Sequence, residues 1–328
     1  MDFLYKLRFM KKIHKNILWL ELNPDAQRQL IDAQAAFIAW EEAVRGAEQV
    51  RGGMYWKTQG PYEYLVRTST SNSQKSLGPR SPETEEIYAR FMARKVSSES
   101  RLADLAATLE RHQRMNRALH VGRAPTVLVE ILARLAKAGL SEHFIVIGTH
   151  ALYAYETAAG VFVTANAVAT RDVDLLWDTR KRLSLITTMR RLDSHFLGLL
   201  KKVDPTFELL ESDMSRAINS QGFEVDVLRR EAHEGDPNPF KVTEHDDDIY
   251  AVQARRAGVL LSGPRFSQMI VATSGHMARM QTIAPAMFIK FKRWMGTLAE
   301  REPQKRTRDL LQADIVEQLL TERLPHLT

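Results

Sequence analysis

Apolar and polar positions recur with two different periods along this chain, and the switches between them mark its elements. From 25 to 50, after Pro24-Asp25, Ala, Leu, Ile and Phe return at helical intervals until Gly52-Gly53 breaks the pattern. Met54–Thr58 and Tyr62–Thr68 are rich in aromatic and β-branched residues, with Gln59-Gly60-Pro61 between them. That predicts a hairpin. Residues 68–80 read as a polar loop. Ser81-Pro82 supplies an N-cap and a first-turn proline for a helix running toward Lys95. A second helix is predicted over about 99–117, and Pro125 opens a third that Gly139 ends.

Farther on, His143–Ile147 predicts a short buried strand leading into Gly148-Thr149, after which His150–Glu156 reads as helical. Residues 160–170, rich in Val, Thr and Ala, suit an extended excursion. Asp172–Trp177 and Gly222–Leu228 are strand-like, and Lys181–Leu192 is helical. Ala251–Leu261 and Gln268–Ala272 are expected as edge strands, and Pro285–Leu298 and Thr307–Leu320 as helices. The sum is an α+β chain. A mixed sheet flanked by helices is expected over 118–278, a helical module over 279–328, and a helical extension carrying the hairpin over 1–117.

Composition narrows the chemistry. The chain of 328 residues has no cysteine, which excludes disulfides, thiolate metal sites and cysteine nucleophiles, and fits a reducing cytoplasm. No apolar run approaches the roughly 20 residues of a membrane span. Lys6, Arg8, Lys11, Lys12 and Lys15 interrupt the apolar stretches of the N-terminus, which reads as a short basic amphipathic helix or strand rather than a signal peptide. Charge is uneven. Residues 1–140 hold 22 Lys+Arg against 15 Asp+Glu (+7), and 141–328 hold 24 against 25 (−1). A basic front half suits either a polyanionic partner or a plain solvated basic surface.

The candidate chemistry sits in the rear half. In Asp172-Val173-Asp174, strand alternation turns both carboxylates to one face and Val173 to the other. Two such carboxylates repel unless something positive lies between them, and Mg²⁺ favours this kind of oxygen donor. Glu224-Val225-Asp226-Val227 repeats the alternation. If the two strands are neighbours, Asp226 joins the pair, and three acids can serve two metals. Upstream, Gly148-Thr149 at a strand-to-helix junction is suited to backbone contact with a phosphate. Lys292 flanks the apolar stripe Phe288, Phe291, Met295 and Leu298, where it either reaches a phosphate or covers the core as a surface lysine.

In that order, these motifs resemble the DNA polymerase β-type nucleotidyltransferase superfamily: Gly-Ser or Gly-Gly at a helix start, then Asp-x-Asp, then a third acid. IGTHALYAYETAAGV, ATRDVDLLWD, FEVDVL and PAMFIKFKRWMGTLAEREPQKRTRDLLQA together resemble a bacterial nucleotidyltransferase-like family, over roughly 52–320. The resemblance implies that Gly148, Thr149 and Lys292 bind the triphosphate. It implies that Asp172 and Asp174 ligate Mg²⁺ or Mn²⁺, and that Asp226 completes the site and helps deprotonate an attacking hydroxyl. An NTP would be the substrate. Two departures stand out: Thr149 replaces Ser or Gly, and the interval from Gly148 to Asp172 is long, which requires an insertion near 158–170 to loop out.

Other residues carry competing readings. Trp56, Lys57 and Arg67 on the hairpin, with Lys75 and Arg80 after it, suit either a nucleic-acid surface or ordinary strand and connector roles. Lys305 and Arg308 place positive charge at a helix start, against the macrodipole, which suits either a phosphate or nucleic-acid contact or an Arg308-Asp309 anchoring pair behind the site. His150 is a candidate for the pocket wall. His245-Asp246-Asp247-Asp248 reads as a solvated acidic loop, and Asp178 as a helix cap. The expected acceptor is RNA, a tRNA end first, or else a protein hydroxyl, with a partner antitoxin or a homo-oligomer in view and no membrane. Two other classes remain: an inactive transferase-fold binding or regulatory protein, and a metal-dependent nuclease.

Overall fold

The computed structural model describes residues 18–70, 73–210, 212–236 and 238–327. The basic segment before Leu18 lies outside these. The chain forms two compact units, one of residues 28–119 and one in which residues up to 27 join 120 onward.

Strand β1 (Trp19–Glu21) precedes helix α1 (Pro24–Gln49), whose first turn is capped by the Asn23 side chain accepting from Ala26 N at 2.8 Å. In the smaller unit, β2 (Gly53–Gln59), β3 (Tyr62–Thr68) and β4 (Gln74–Pro79) form an antiparallel sheet, followed by α2 (Pro82–Ala118). The hairpin is as expected, with Gln59 opposite Tyr62 across Gly60-Pro61. The stretch expected as a polar loop over 68–80 instead supplies β4, which satisfies the free edge of β3. The two helices expected over 82–117 are one, because no Gly or Pro interrupts Lys95–Glu99. Its start is a capping box: Thr84 N donates to Ser81 Oγ and Ser81 N to Thr84 Oγ1.

The larger unit runs α3 (Thr126–Lys137), β5 (Phe144–Ile147), α4 (Leu152–Ala159), β6 (Val161–Val163), α5 (Ala165–Val168) and β7 (Asp172–Trp177). It continues through α6 (Arg182–Arg191), α7 (Phe196–Lys201), β8 (Glu208–Leu210), β9 (Asp213–Ile218) and β10 (Glu224–Arg229). Last come β11 (Val252–Gln253), α8 (Ala257–Ser262), β12 (Arg265–Val271), β13 (Met277–Ile283), α9 (Pro285–Thr297) and α10 (Pro303–Glu322). The edge strand expected over 251–261 is only two residues long. Ala257, Leu260 and Leu261 are buried at helical spacing in α8. The extended excursion over 160–170 holds a short strand and one helical turn.

One mixed sheet organises this unit, in the order β12-β13-β5-β7-β10-β9-β8, with β11 beside β10. Strand β7 runs antiparallel to β5 and parallel to β10. Val173, Leu175, Val225 and Val227 turn to the same apolar layer and are fully buried. Arg229 continues that face of β10, buried with its guanidinium 5.1 Å from the Phe240 ring centroid. Position 278/279, expected as a domain boundary, falls inside β13, and α9 and α10 belong to the same unit as the sheet. No helix among the described residues is long and apolar enough to cross a membrane.

Candidate active site

Strand register brings the three acids together. β7 and β10 are parallel neighbours, with Asp172 opposite Glu224 and Asp174 opposite Asp226. Alternation puts these four on one face of the sheet. β5 lies on the other side of β7, with Ile147 opposite Asp174, so Gly148 emerges beside the carboxylate. Gly148 has φ +71°, and a Cβ there would lie 2.2 Å from Oδ2 of Asp174. Only glycine fits this junction, for conformation and for space.

The long interval from Gly148 to Asp172 is taken up outside the sheet. After α4 the chain forms β6, which pairs antiparallel with β1 (Val161 opposite Glu21), and α5 returns it to β7. The interval therefore loops out, and the glycine and the Asp-x-Asp pair meet.

Burial first, then repulsion from Asp172 and Asp226, pushes the Asp174 carboxyl up to about 7, against the pull of Lys292 and Arg301. Burial also raises Asp226, opposed by Arg216, whose Nε and Nη2 donate to its two oxygens at 2.7 and 3.1 Å. Arg216 reaches Glu224 as well, at 2.8 Å. The exposed Asp172 accepts a hydrogen bond from Thr170 Oγ1.

Facing the acids is a cavity of about 330 Å³. Gly148, Thr149, Asp172 and Asp174 line it, together with five cations: Arg255, Lys292, Arg301, Lys305 and Arg308. Lys292 is not a surface lysine. It is buried, and its Nζ donates to Asp309 Oδ1 at 2.8 Å. Burial draws its pKa below the ordinary lysine value while Asp309 holds it up. The other oxygen of Asp309 accepts from Arg301 Nε at 2.5 Å, so one buried carboxylate holds two cavity-lining cations. Lys305 pairs with Glu302 at 3.0 Å, and Arg308 donates to the Ala169 carbonyl at 2.9 Å. Lysine has three donors and arginine five, so these contacts leave donors to spare. Thr149 is buried at the cavity wall, where its hydroxyl accepts from Gln312 Nε2 at 3.1 Å.

Arg301, Gln312 and Trp294 were not singled out from the sequence. Asp309 was, as half of an Arg308-Asp309 anchoring pair, but its oxygens hold Lys292 and Arg301 instead. Conversely, His150 does not line the cavity. It is fully buried beside Tyr153 and Phe223, and burial pushes its pKa down to about 4. In the acidic run, His245, Asp246 and Asp247 are exposed, but Asp248 is buried and accepts from Phe196 N and Leu197 N at the start of α7. Asp178 is a cap as expected, accepting from Arg180 N at 3.2 Å.

In the smaller unit, three of the residues considered for nucleic acid are committed to the fold. Arg67 donates to the carbonyls of Gly53, Thr68 and Arg51 and lies 4.3 Å from the Phe91 ring centroid. Arg80 pairs with Glu63 and Glu85 and covers Trp56, whose other neighbour is Tyr88. Lys57 and Lys75 stand exposed. Lys75 lines an open cavity of about 550 Å³ with Arg51, Arg67 and the polar residues Thr68, Ser69, Thr70 and Ser73.

Among the described residues, no three carboxylate or histidine groups already converge as a metal cage. The donor set is instead the two carboxylates Asp172 and Asp174 in the wall of a cavity of about 330 Å³ that five cations also line. Mg²⁺ is commonly held that way, by one or two carboxylates plus substrate phosphates, so the residues fit the cation.

A family model described as Nucleotidyltransferase matches residues 126–328, more than half of the chain and all of the cavity lining. No curated protein and no solved structure matches.

Proposed function

The chain belongs to the nucleotidyltransferase family, and on that premise we propose that it transfers a nucleoside monophosphate from an NTP to a hydroxyl of RNA. The carrying observation is the placement of Asp172, Asp174 and Asp226 on one face of two adjacent strands, with Asp172, Asp174 and Gly148 lining a cavity rich in cations. The order of these motifs is the ground for placing the chain in the DNA polymerase β-type superfamily.

In this reading the acceptor oxygen attacks the α-phosphorus, and the bond to the bridging oxygen breaks as pyrophosphate leaves. Asp172 and Asp174 would hold Mg²⁺ or Mn²⁺, with Asp226 completing the set, and a cation bound there would supply charge neutralisation for the triphosphate and a lowered pKa for the attacking hydroxyl. Asp226 takes the hydroxyl proton, which requires it to loosen its hold on Arg216. The Gly148 backbone and the Thr149 hydroxyl seat the phosphates. Lys292, Arg301, Lys305 and Arg308 offset the charge of the pyrophosphate as it departs. No covalent enzyme intermediate is needed; positioning and electrostatics supply the acceleration.

RNA is favoured as acceptor by the charge of +7 over residues 1–140 and by the exposed Lys57 and Lys75. The test is incubation with each labelled NTP, Mg²⁺ or Mn²⁺, and cellular RNA together with protein, beside an Asp172→Ala/Asp174→Ala control. Label on RNA that the control loses supports the reading. Label on protein moves the acceptor to a protein hydroxyl, and cleaved RNA makes the chain a nuclease. Absence of both label and NTP binding leaves a non-catalytic binding protein.

A further inference from the structure

The cavity lining is of two chemical kinds. Besides the acids and the phosphate-seating cations, it includes an apolar and aromatic group. Phe291, Trp294, Met295 and Leu298, on or just past α9, share one helical face, and Leu228 and Ala254 approach from the β10–β11 side. Trp294 is only half-buried. Arg256 lies 4.3 Å from its ring centroid, and Phe291 tilts against it at 5.8 Å. Arg256 holds this place from a left-handed backbone conformation, φ +62°, which is uncommon for a residue other than glycine. An indole supported by a guanidinium and a second ring is a rigid platform, and its exposed surface borders the cavity.

Resting on the transferase reading above, we propose that this apolar, aromatic part of the lining is the nucleobase subsite. The base stacks on Trp294, and Arg255 reads its edge. Stacking accepts any base, because every base has a π-face. Discrimination then falls to Arg255, which lines the cavity and is anchored to Glu300. The other side chains of this group are apolar or, in Trp294, donor-only. A guanidinium offers only donors, and its two-pronged fork matches the paired N7 and O6 acceptors of guanine, whereas adenine places an amino donor beside N7. GTP should therefore bind more tightly than ATP.

The test measures dissociation constants for GTP, ATP and inorganic tripolyphosphate, each with Mg²⁺, on the full chain. Trp294→Ala should weaken GTP by about tenfold, in line with the stacking of one base, and leave tripolyphosphate unchanged. Trp294→Phe should keep most of the GTP affinity. Arg255→Ala should erase the preference for GTP over ATP. If Trp294→Ala leaves GTP binding intact while tripolyphosphate still binds, the stacking assignment is overturned and the transferase reading stands. ATP binding as tightly as GTP to the wild-type chain overturns the role given to Arg255. If neither GTP nor tripolyphosphate binds the wild-type chain, the transferase reading itself fails.

Discussion

Replacing Asp309 with alanine strips two cavity cations of their anchor. The carboxylate is 1% exposed, and its oxygens accept from Lys292 Nζ at 2.8 Å and from Arg301 Nε. Arg301 is a quarter exposed and can turn to solvent, but the Lys292 side chain, 4% exposed, cannot. Removing one partner of a buried pair costs about 3–5 kcal/mol, because the other charge is left uncompensated. For a unit of this size each kcal/mol moves the melting temperature by about 2–4 °C. The expected drop is therefore roughly 6–20 °C by circular dichroism at neutral pH. The sign with pH follows from Lys292, whose folded pKa already lies below its ordinary value through burial. Without Asp309 it falls further, so the penalty is largest at low pH and eases as the lysine loses its proton. The double variant Lys292→Met/Asp309→Leu, which removes both charges, should recover most of the stability while still binding tripolyphosphate weakly. A single variant melting within about 2 °C of the parent, or a double variant no better than the single, would refute this account of the pair.

The site makes further predictions. Gly148→Ala places a methyl 2.2 Å from Asp174 Oδ2 in a backbone region that excludes side chains, so NTP affinity should fall at least about tenfold with a cost of about 1–3 kcal/mol in stability; unchanged binding would count against the close approach. Asp174 titrates at about 7 in the folded chain and about 3.9 unfolded. The folded state thus holds the extra proton between those values, and metal-free stability should fall as pH rises from about 4 to about 7. Mg²⁺ should then raise the melting temperature more at about pH 8 than at about pH 5, and equal shifts would remove Asp174 from the ligand set. Lys57→Glu/Lys75→Glu should cut RNA labelling and its salt dependence but spare GTP binding; full labelling would relieve this surface of an RNA role.

The acids were legible because strand alternation is a local rule. Asp172 and Asp174 could be placed on one face from spacing alone; Asp226 joined them only on condition that the two strands were neighbours, and the register of β7 with β10 sets it opposite Asp174. The route between Gly148 and Asp172 was not legible. It depends on β6 pairing with β1, some 140 residues upstream (Val161 with Glu21), and no local pattern encodes a partner at that distance. The stretch 74–79 failed for a related reason: a polar segment becomes a strand when a neighbour's edge needs its hydrogen bonds. His150 failed differently. Its neighbours in sequence suggested a pocket, but its ring turns into the core beside Phe223.

Lys292 is the most informative residue, because the helical pattern was right and, of the two readings drawn from it, the surface lysine is the one its burial overturns. It flanks the apolar stripe of α9 as the spacing predicts. That flank is interior because α10 packs closely there: a Cβ at Gly296 would lie 2.6 Å from Leu310. α10 also delivers Asp309 to the ammonium. An apolar pair of similar volume would be as stable or more so. Nearby, burial first and then repulsion from Asp172 and Asp226 disfavour the charged form of Asp174. Stability alone therefore favours neither the buried lysine nor the clustered aspartates. Both are accounted for together if the cavity is built to receive a ligand carrying its own dense charge of both signs, as a metal-bound triphosphate does.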